Sequence, residues 1–408
     1  MSRALYGPAL LAFSLLFAGC GDGGTTPPPN GGTPTPPGIA PAPPPLLARA
    51  IAAMGGRERL AAVRTTESVA VVEDGPMRYR VRVQILLPDA YRDEIETEEA
   101  RFVRVWRDGK GFAALDGLPF ELSPEETSAL RDSLRLNSLS LLVDVDRAHG
   151  AEVKELPPID GCERLEVRYA AEPKGPYELR FDAATARLKS VRFASTFIGR
   201  PGRSPARLEL EDWRPVEGGV FGAFAAKLFI DDDVVPAIVT KTESLAVNST
   251  LVREAFDPPT GAAPILVRDL GAETVALWER KGPDGPAPAD AEEKLAAYVL
   301  SRGLVRRGPV FRLLAAEESP PAVGVAVVPP RSETRPSATG NDSLRVTTRP
   351  GGRVLTVAVR AGEEKVLHAA ATRLVNDASE RGYVAAGPCR VVSWSRELVQ
   401  LQLPVRPR

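Results

Sequence analysis

The sequence predicts an α+β protein with two folded domains. Two observations predict this class. The first half of the chain contains runs of alternating apolar and polar residues that are separated by turn residues, which is typical of antiparallel strands. The second half repeats itself, with one helix-like run and several strand-like runs in each copy. At 408 residues the chain is long enough to bury two hydrophobic cores.

The composition argues against several classes of function. The 52 Lys and Arg residues balance the 53 Asp and Glu residues, so no basic surface for nucleic acid is expected. Two histidines and three cysteines are a poor basis for a zinc site, a serine–histidine enzyme or a disulfide framework. We therefore expect no metal and no cofactor. No segment after the N-terminus is apolar for long enough to predict a transmembrane helix.

The N-terminus has the features of a secretion signal. One positive charge at Arg3 precedes the apolar run "PALLAFSLLFAG" and Cys20. The small residues Ala18 and Gly19 before Cys20 resemble the lipobox of bacterial lipoproteins, which implies a signal peptide over 1–19 and lipidation of Cys20. The alternative is an ordinary secreted protein with an incidental cysteine. Residues 20–45 are rich in Pro and Gly and predict an extended tether.

The first domain is predicted over residues 46–262. It opens with the helical segment "LLARAIAAMGGRERLAAV", which two glycines interrupt, and continues with strands. In "YRVRVQI", Tyr79, Val81, Val83 and Ile85 share one face. A helix follows "SPEE", where Ser123 and Glu126 stand at capping-box positions, before the strands resume. This order predicts a long, curved antiparallel sheet with helices packed on one side.

The order of elements in this domain resembles the LolA/LolB-like half-barrel proteins that sort and carry lipoproteins in the periplasm. The segments that carry the resemblance are "AIAAMGGRERLAAVRTTES", "LRFDAATARLKSVRF", "DWRPVEGGVF" and "AFDPP". The resemblance implies a curved antiparallel β half-barrel with packed helices, whose concave face holds acyl chains or another apolar ligand. The alternative is that helix side chains simply fill the concave face.

The second domain is predicted over residues 265–408. Arg302-Gly303 and Gly308-Pro309 in the first copy match Arg381-Gly382 and Gly387-Pro388 in the second. Each copy ends in an apolar strand that stops at a proline, in "VGVAVVPP" and "LVQLQLPV". A glycine after each helix fits a helix C-terminus. Each copy therefore predicts a β-α-β-β unit.

This duplicated unit resembles the GyrI-like (SOUL-like) effector-binding domain. The resemblance implies a cleft between two similar halves that accepts small, flat and often cationic molecules. Members of this family commonly carry a glutamate four residues before the closing proline. This sequence has Gln400 there, which disfavours cation binding because a buried carboxylate is missing. The candidate ligand-binding residues are Trp278, Tyr298, Trp394 and Gln400.

The leading hypothesis is a non-enzymatic lipoprotein of the bacterial cell envelope that binds apolar or amphiphilic small molecules or lipids. It is expected to be held in the cell envelope by its lipid anchor, at the periplasmic face of the outer membrane in preference to the inner membrane, without nucleic acid as a partner. A structural or protein-interaction lipoprotein with degenerate binding folds is one alternative. A hydrolase that uses the GyrI-like cleft is another, with Glu279 and Tyr298 as the nearest candidate groups. The sequence leaves open the oligomeric state and whether Cys162 and Cys389 are free.

Overall fold

The computed structural model describes residues 44–408, apart from residues 76, 136–138, 140, 143–144, 146–150, 170–175, 197–202, 232, 261–262, 280–289, 303, 315–321, 329–343, 362–363 and 395–397. Cys20, the predicted signal peptide and nearly all of the predicted tether lie outside the described residues. Within the described part of the chain, no helix is both long and apolar enough to cross a membrane.

The described secondary structure is mainly β, with a few helices. The helices are α1 (Pro45–Ala53), α2 (Arg57–Ala62), α3 (Pro124–Arg135), α4 (Ala291–Ser301) and α5 (Glu364–Glu380). The strands are β1 (Thr65–Asp74), β2 (Met77–Leu86), β3 (Ala90–Glu96), β4 (Arg101–Arg107), β5 (Lys110–Leu115), β6 (Leu118–Glu121), β7 (Ala151–Ile159), β8 (Cys162–Tyr169), β9 (Tyr177–Asp182), β10 (Leu188–Thr196), β11 (Arg203–Pro215), β12 (Phe221–Ile230), β13 (Ile238–Val247), β14 (Leu266–Leu270), β15 (Glu273–Glu279), β16 (Val305–Leu313), β17 (Ala322–Val328), β18 (Leu344–Arg349), β19 (Gly352–Arg360), β20 (Tyr383–Ala385), β21 (Arg390–Ser393) and β22 (Leu398–Pro407).

The first sheet contains 13 antiparallel strands in the order β6-β5-β4-β3-β2-β1-β13-β12-β11-β10-β9-β8-β7. Strands that are consecutive in sequence pair throughout, and the pairing of β1 with β13 joins the two runs. A twisted open sheet of this width curls, because the twist accumulates from strand to strand. The sequence prediction of an antiparallel half-barrel sheet is confirmed at this level.

Three hairpins of this sheet turn on Asp-Gly pairs. The φ angles are 53° and 77° at Asp108-Gly109, 47° and 87° at Asp116-Gly117, and 50° and 70° at Asp160-Gly161. Two successive positive φ values define the type I′ turn, whose twist matches that of the flanking strands. Asp116 is therefore held at a fixed point between β5 and β6.

Helix side chains fill the concave face of the half-barrel over the described residues. The predicted inward face of β2, which begins at Tyr79, is buried. Leu46 and Leu47 of α1 and Leu130 and Leu134 of α3 belong to the same buried cluster as this face. Among the described residues, this packing favours the alternative that the concave face is a hydrophobic core, because each buried aliphatic side chain excludes water from it.

The second sheet runs β14-β19-β22-β21-β16-β17-β15-β18, and β20 adds to β22. The two halves of this sheet meet between β21 and β16. Counted outward from that point, β21, β22 and β19 in one half stand at the same positions as β16, β17 and β15 in the other. Helix α4 follows β15, and α5 follows β19. The outermost strands are exchanged, because β14 precedes β15 in sequence but pairs with β19, and β18 precedes β19 but pairs with β15.

The two sheets share one hydrophobic core. A single cluster of buried side chains includes Phe102 and Leu115 of the first sheet together with Phe311, Leu355 and Trp394 of the second. The contact between the sheets therefore positions side chains from both halves of the chain beside one another.

Candidate functional site

The structure does not bring the four predicted ligand-binding residues into one site. Trp394 and Gln400 lie where the second sheet meets the half-barrel. Trp278 and Tyr298 belong to a different buried cluster, where α4 packs on β15. Ligand binding by these residues stays a prediction.

Gln400 is fully buried and bonded to the half-barrel. Its Nε2 donates to Oδ2 of Asp116 at 2.5 Å and to the carbonyl oxygen of Glu99 at 2.9 Å. Its Oε1 accepts a hydrogen bond from Nε2 of Gln402 at 2.8 Å. A carboxylate at this position could not donate to Asp116, whereas the amide of glutamine can. This contact gives a physical reason for glutamine at position 400.

Asp116 is the centre of the contact between the sheets. Its Oδ1 accepts hydrogen bonds from the backbone N–H of Arg101 at 2.9 Å and from Nη2 of Arg268 at 2.5 Å. The side chain of Asp116 is completely buried. A buried carboxylate is stable only when its oxygens are paired, and here two of its partners, Arg268 and Gln400, come from the second sheet.

Trp394 faces the half-barrel from the second sheet. Its ring meets that of Phe102 edge-on, with the centroids 4.9 Å apart and the planes at 65°. This is a favourable arrangement for two aromatic rings. Trp394 therefore belongs to the contact between the two sheets.

A small cavity of about 80 Å³ lies between the sheets beside this contact. Its wall includes Tyr79 and Glu98 of the half-barrel and Leu270, Glu273 and Trp394 of the second domain. We call it the interdomain cavity. Tyr79 Oη and Trp394 Nε1 are buried and have no hydrogen-bond partner among the described residues.

A polar cluster is buried inside the half-barrel. Nη2 of Arg104 lies 2.6 Å from Oδ2 of Asp93, and the side chains are 5% and 0% exposed. Tyr91 Oη donates to Oδ2 of Asp93 at 3.1 Å, and Ser133 of α3 bonds to Tyr91. Burial opposes the charged form of Arg104, but Asp93 outweighs burial, so the pKa of Arg104 is raised. The cluster is internally satisfied and therefore structural.

A larger, open groove of about 690 Å³ runs beside the β4–β5 hairpin and the start of α3. We call it the hairpin groove. Its wall combines aromatic and aliphatic side chains with three charged ones, and it includes Trp106, Phe112, Leu122, Lys110, Glu121 and Arg131. The mixture of an apolar wall with a few charged groups is typical of small-molecule sites.

A second cavity of about 330 Å³ adjoins the hairpin groove and shares Phe112 and Glu121 with it. Pro119 and Phe120 of β6, Pro259 and Arg360 complete much of its wall. Nη2 of Arg360 donates to the carbonyl oxygen of Pro119 at 3.3 Å, so the second domain closes one side. Together the two spaces form an elongated depression along the edge of the half-barrel.

The two residues considered for hydrolysis, Glu279 and Tyr298, lie on β15 and α4. No group of three or more metal-binding side chains occurs among the residues that the structure describes. Tyr298 of α4 is buried in the cluster that also contains Trp278, and Glu279 is the last residue of β15. Cys162 and Cys389 are free and buried, and burial raises the pKa of the Cys389 thiol to about 12. A thiol with that pKa is protonated at neutral pH and is a weak nucleophile.

Sequence reasoning did not select Trp106, Phe112 or Asp116 as site residues, and Trp106 was as consistent with packing in the sheet as with a ligand. The Asp-Gly pair at 116–117 was a readable hairpin signal, but it does not reveal the partner of the carboxylate. Trp106 and Phe112 lie on consecutive strands of one hairpin, but Trp106 pairs with Gly111 and Phe112 pairs with Val105. Their side chains therefore leave opposite faces of the hairpin, and strand alternation alone does not predict that both line one groove.

The comparisons with known proteins identify coarse similarities of architecture. No family model matches the chain, and no curated protein matches it. A LolA superfamily protein from Nitrosomonas europaea is 12% identical with a TM-score of 0.34, covering 51% of this chain and 97% of that chain. An outer membrane lipoprotein-sorting protein domain from Vibrio parahaemolyticus is also 12% identical, with a TM-score of 0.31, covering 49% of this chain and 93% of that chain.

Similarities also exist to a second kind of protein. The EcmrR C-terminal domain is 14% identical with a TM-score of 0.27, covering 36% of this chain and 98% of that chain. In the EcmrR–DNA complex, EcmrR is 14% identical with a TM-score of 0.28, and the match covers 58% of that longer chain. The structural neighbours of this chain thus include lipoprotein-sorting domains and an EcmrR domain, at identities and TM-scores that describe coarse architecture alone.

Proposed function

We propose that this chain is a non-enzymatic lipoprotein of the bacterial envelope that binds an anionic amphiphile in the hairpin groove. The observation that supports the proposal most is the groove itself, an open space of about 690 Å³ walled by Trp106, Phe112 and Leu122. Sites for small molecules commonly have 300–1,000 Å³ and are mostly apolar. Lipidation of Cys20 and location at the periplasmic face belong to the proposal and rest on the N-terminal sequence.

The shape of the depression favours an elongated ligand. The hairpin groove and the adjoining 330 Å³ cavity meet at Phe112, so that an acyl chain could lie across this ring. Burying each methylene of such a chain contributes about 0.8 kcal/mol. Several methylenes would therefore give useful affinity without any specific polar contact.

The charges around the groove favour an anionic head group. Lys110 and Arg131 carry positive charge on its wall, and Glu121 is the one acidic side chain among the described lining residues. Lys110 is exposed at the hairpin, where its ammonium can reach a carboxylate or phosphate and still keep part of its hydration. A cationic amphiphile would meet a net positive rim and should bind less well.

In this proposal the second domain is a duplicated β-α-β-β unit of GyrI-like type. The equivalent strand order on either side of β16 and β21 supports the duplication. Gln400 and Trp394 contact the half-barrel, through Asp116 and Phe102, and do not line the hairpin groove. We infer that the second domain acts mainly as a scaffold that closes the edge of the groove through Arg360.

Binding of a fluorescent fatty acid tests the proposal. Residues 20–408 carrying Cys20→Ser can be titrated with 11-(dansylamino)undecanoic acid, since this variant lacks the apolar segment over 1–19 and cannot be acylated at residue 20. Phe112→Asp is expected to weaken binding about tenfold or more, because an apolar contact is replaced by a charge of the ligand's sign. Phe224→Asp is the matched control, since Phe224 is a half-buried aromatic outside the groove.

A second pair of variants tests the charge of the head group. Lys110→Glu should weaken binding of the dansyl acid several-fold but leave a neutral dansyl amide of the same length almost unchanged. Lys365→Glu, on the exposed side of α5, is the control. Equal loss in Phe112→Asp and Phe224→Asp, or no saturable binding, would contradict the proposal and favour the protein-interaction alternative.

A further inference from the structure

We propose that the depression along the edge of the half-barrel selects a ligand with an acidic group at each end, and that Arg360 of the second domain binds the second of these groups. The inference rests on the proposed function, which assigns one acidic group to Lys110 at the hairpin groove. It adds a cationic contact at the other end of the depression, in the adjoining cavity of about 330 Å³.

The two cations stand at opposite ends of an apolar path along β5. Lys110 opens β5, and Phe112 and Ala114 follow it on the same face, because alternate residues of a strand share a face. Ala114 pairs with Pro119 of β6, whose carbonyl oxygen accepts the hydrogen bond from Arg360. The four residue steps from 110 to 114 span about 14 Å, at about 3.4 Å each. A ligand that reaches both cations therefore needs an apolar segment of this order of length across Phe112.

The guanidinium of Arg360 is accessible and has donors to spare. Arg360 is the last residue of β19, is exposed and lines the cavity wall. Among the described residues, its one hydrogen bond runs from Nη2 to the carbonyl oxygen of Pro119, at 3.3 Å, and no carboxylate pairs with it. A guanidinium carries five N–H donors. The remaining donors of Arg360 can hold a carboxylate with two parallel hydrogen bonds, the strongest geometry for this pair.

The acidic residue of the depression lies between the two cations. Glu121 pairs with Phe112 across β5 and β6, so it stands level with the middle of the path and not with either end. It is the one acidic side chain among the described residues that line either space. A carboxylate at this point repels a ligand whose negative charge lies in the middle of the chain. The apolar part of the ligand therefore fits there, with the charges at its ends.

The balance of charge favours two acidic groups over one. Lys110 and Arg131 line the hairpin groove, and Arg360 lines the adjoining cavity, so the described walls carry three cations against Glu121. A ligand with one acidic group can match the cations at one end only. A ligand with an acid at each end matches both and is attracted more strongly.

Calorimetric titration of residues 20–408 carrying Cys20→Ser tests the second contact. The probes are dodecanedioate and its monomethyl ester, which has nearly the same length and one negative charge fewer. The quantity to compare is the dissociation constant of the ester divided by that of dodecanedioate. At low ionic strength, Arg360→Gln should lower this ratio about threefold, within the range that one exposed ion pair contributes. Added salt should also lower the ratio in the parent, because it screens the exposed pair.

Two further variants serve as controls. Arg373→Gln removes an exposed arginine of α5 that lines neither space, and it should leave the ratio unchanged. Arg360→Lys keeps the charge but loses the paired donors, so it should retain part of the ratio. It keeps the test decisive if Arg360→Gln does not fold.

The outcomes separate this inference from the proposed function. The second contact is overturned, and the proposed function stands, if both probes bind but Arg360→Gln leaves the ratio unchanged. An equal loss in Arg373→Gln would overturn the contact as well, because the effect would then be one of overall charge. If neither probe binds saturably to the parent, the proposed function fails together with this inference.

Discussion

Two fully buried aspartates of the half-barrel pair with arginines in different ways. Asp93 pairs with Arg104 from the neighbouring strand of its own sheet, 11 positions later in the chain. Asp116 pairs with Arg268 of the second domain, 152 positions later, and accepts from Gln400 of the last strand. The first contact stabilises one sheet, and the second fixes how two sheets meet. Two carboxylates that are equally buried therefore stabilise different things, one a single sheet and the other the contact between two sheets.

The largest effect is expected from breaking the internal pair. Asp93→Ala leaves the guanidinium of Arg104 buried without its partner, which should lower the free energy of unfolding by about 3–5 kcal/mol. Urea unfolding followed by far-UV circular dichroism measures the change. The control is Glu243→Ala, which removes an exposed partner of Arg80 and should change the free energy of unfolding by no more than about 1 kcal/mol. A loss no larger than that of the control would show that Asp93 is not needed to compensate Arg104.

An intermediate effect is expected at the contact between the sheets. Gln400→Glu replaces the amide donor by a carboxylate beside Asp116, so the free energy of unfolding at pH 8 should fall by about 2–3 kcal/mol. Calorimetry should then show two transitions instead of one. At pH 5 the loss should be smaller, because two adjacent carboxyl groups share a proton and their raised folded-state pKa favours the fold at low pH.

The double variant Gln400→Glu with Asp116→Asn tests the reason for the loss. It exchanges donor and acceptor between the two positions, since the amide at 116 can donate to the carboxylate at 400. It should recover part of the lost stability. If the double variant is less stable than both single variants, the hydrogen bond from Gln400 to Asp116 does not fix the contact.

The smallest effect is expected from a third carboxylate, Asp74, whose pKa burial raises to about 7. The folded state keeps a proton that the unfolded state releases near pH 4, so the stability contributed by this proton is lost as the pH rises from about 4 through 7. Asp74→Asn should therefore match the parent at pH 4 and exceed its free energy of unfolding by about 1–2 kcal/mol at pH 8, since some solvent contact weakens the effect. Urea midpoints at the two pH values measure this. If the free energy of unfolding of Asp74→Asn differs from that of the parent by the same amount at pH 4 and at pH 8, the pKa of Asp74 is not raised.

Local sequence signals predicted much of the fold. The capping box at the start of α3 is confirmed, since the backbone N–H of Ser123 donates to Glu126 at 2.9 Å and that of Glu126 donates to Ser123 Oγ at 3.2 Å. The alternation in β2 gave its buried face correctly. These features depend on neighbours within a few positions, so a single sequence contains them.

The candidate sites were harder to predict because they depend on distant partners. Gln400 was recognised as unusual, but its partner Asp116 lies 284 positions away, and no local pattern connects them. The exchange of β14 and β18 is equally non-local. The wall of the hairpin groove joins a hairpin, an edge strand and a helix start, and it exists only once these elements pack together.

The position of β22 makes the order of synthesis important. This strand, Leu398–Pro407, pairs with β19, β20 and β21, and it carries Gln400. Until it leaves the ribosome or the export channel, the second sheet lacks an inner strand and Asp116 lacks one of its partners. The half-barrel can complete its own 13-stranded sheet much earlier, as expected when domains fold from the N-terminus onward. Closure of the interdomain cavity therefore has to wait for β22. A chain shortened by this one strand should lose the contact between Gln400 and Asp116 and become more susceptible to the proteases of its compartment.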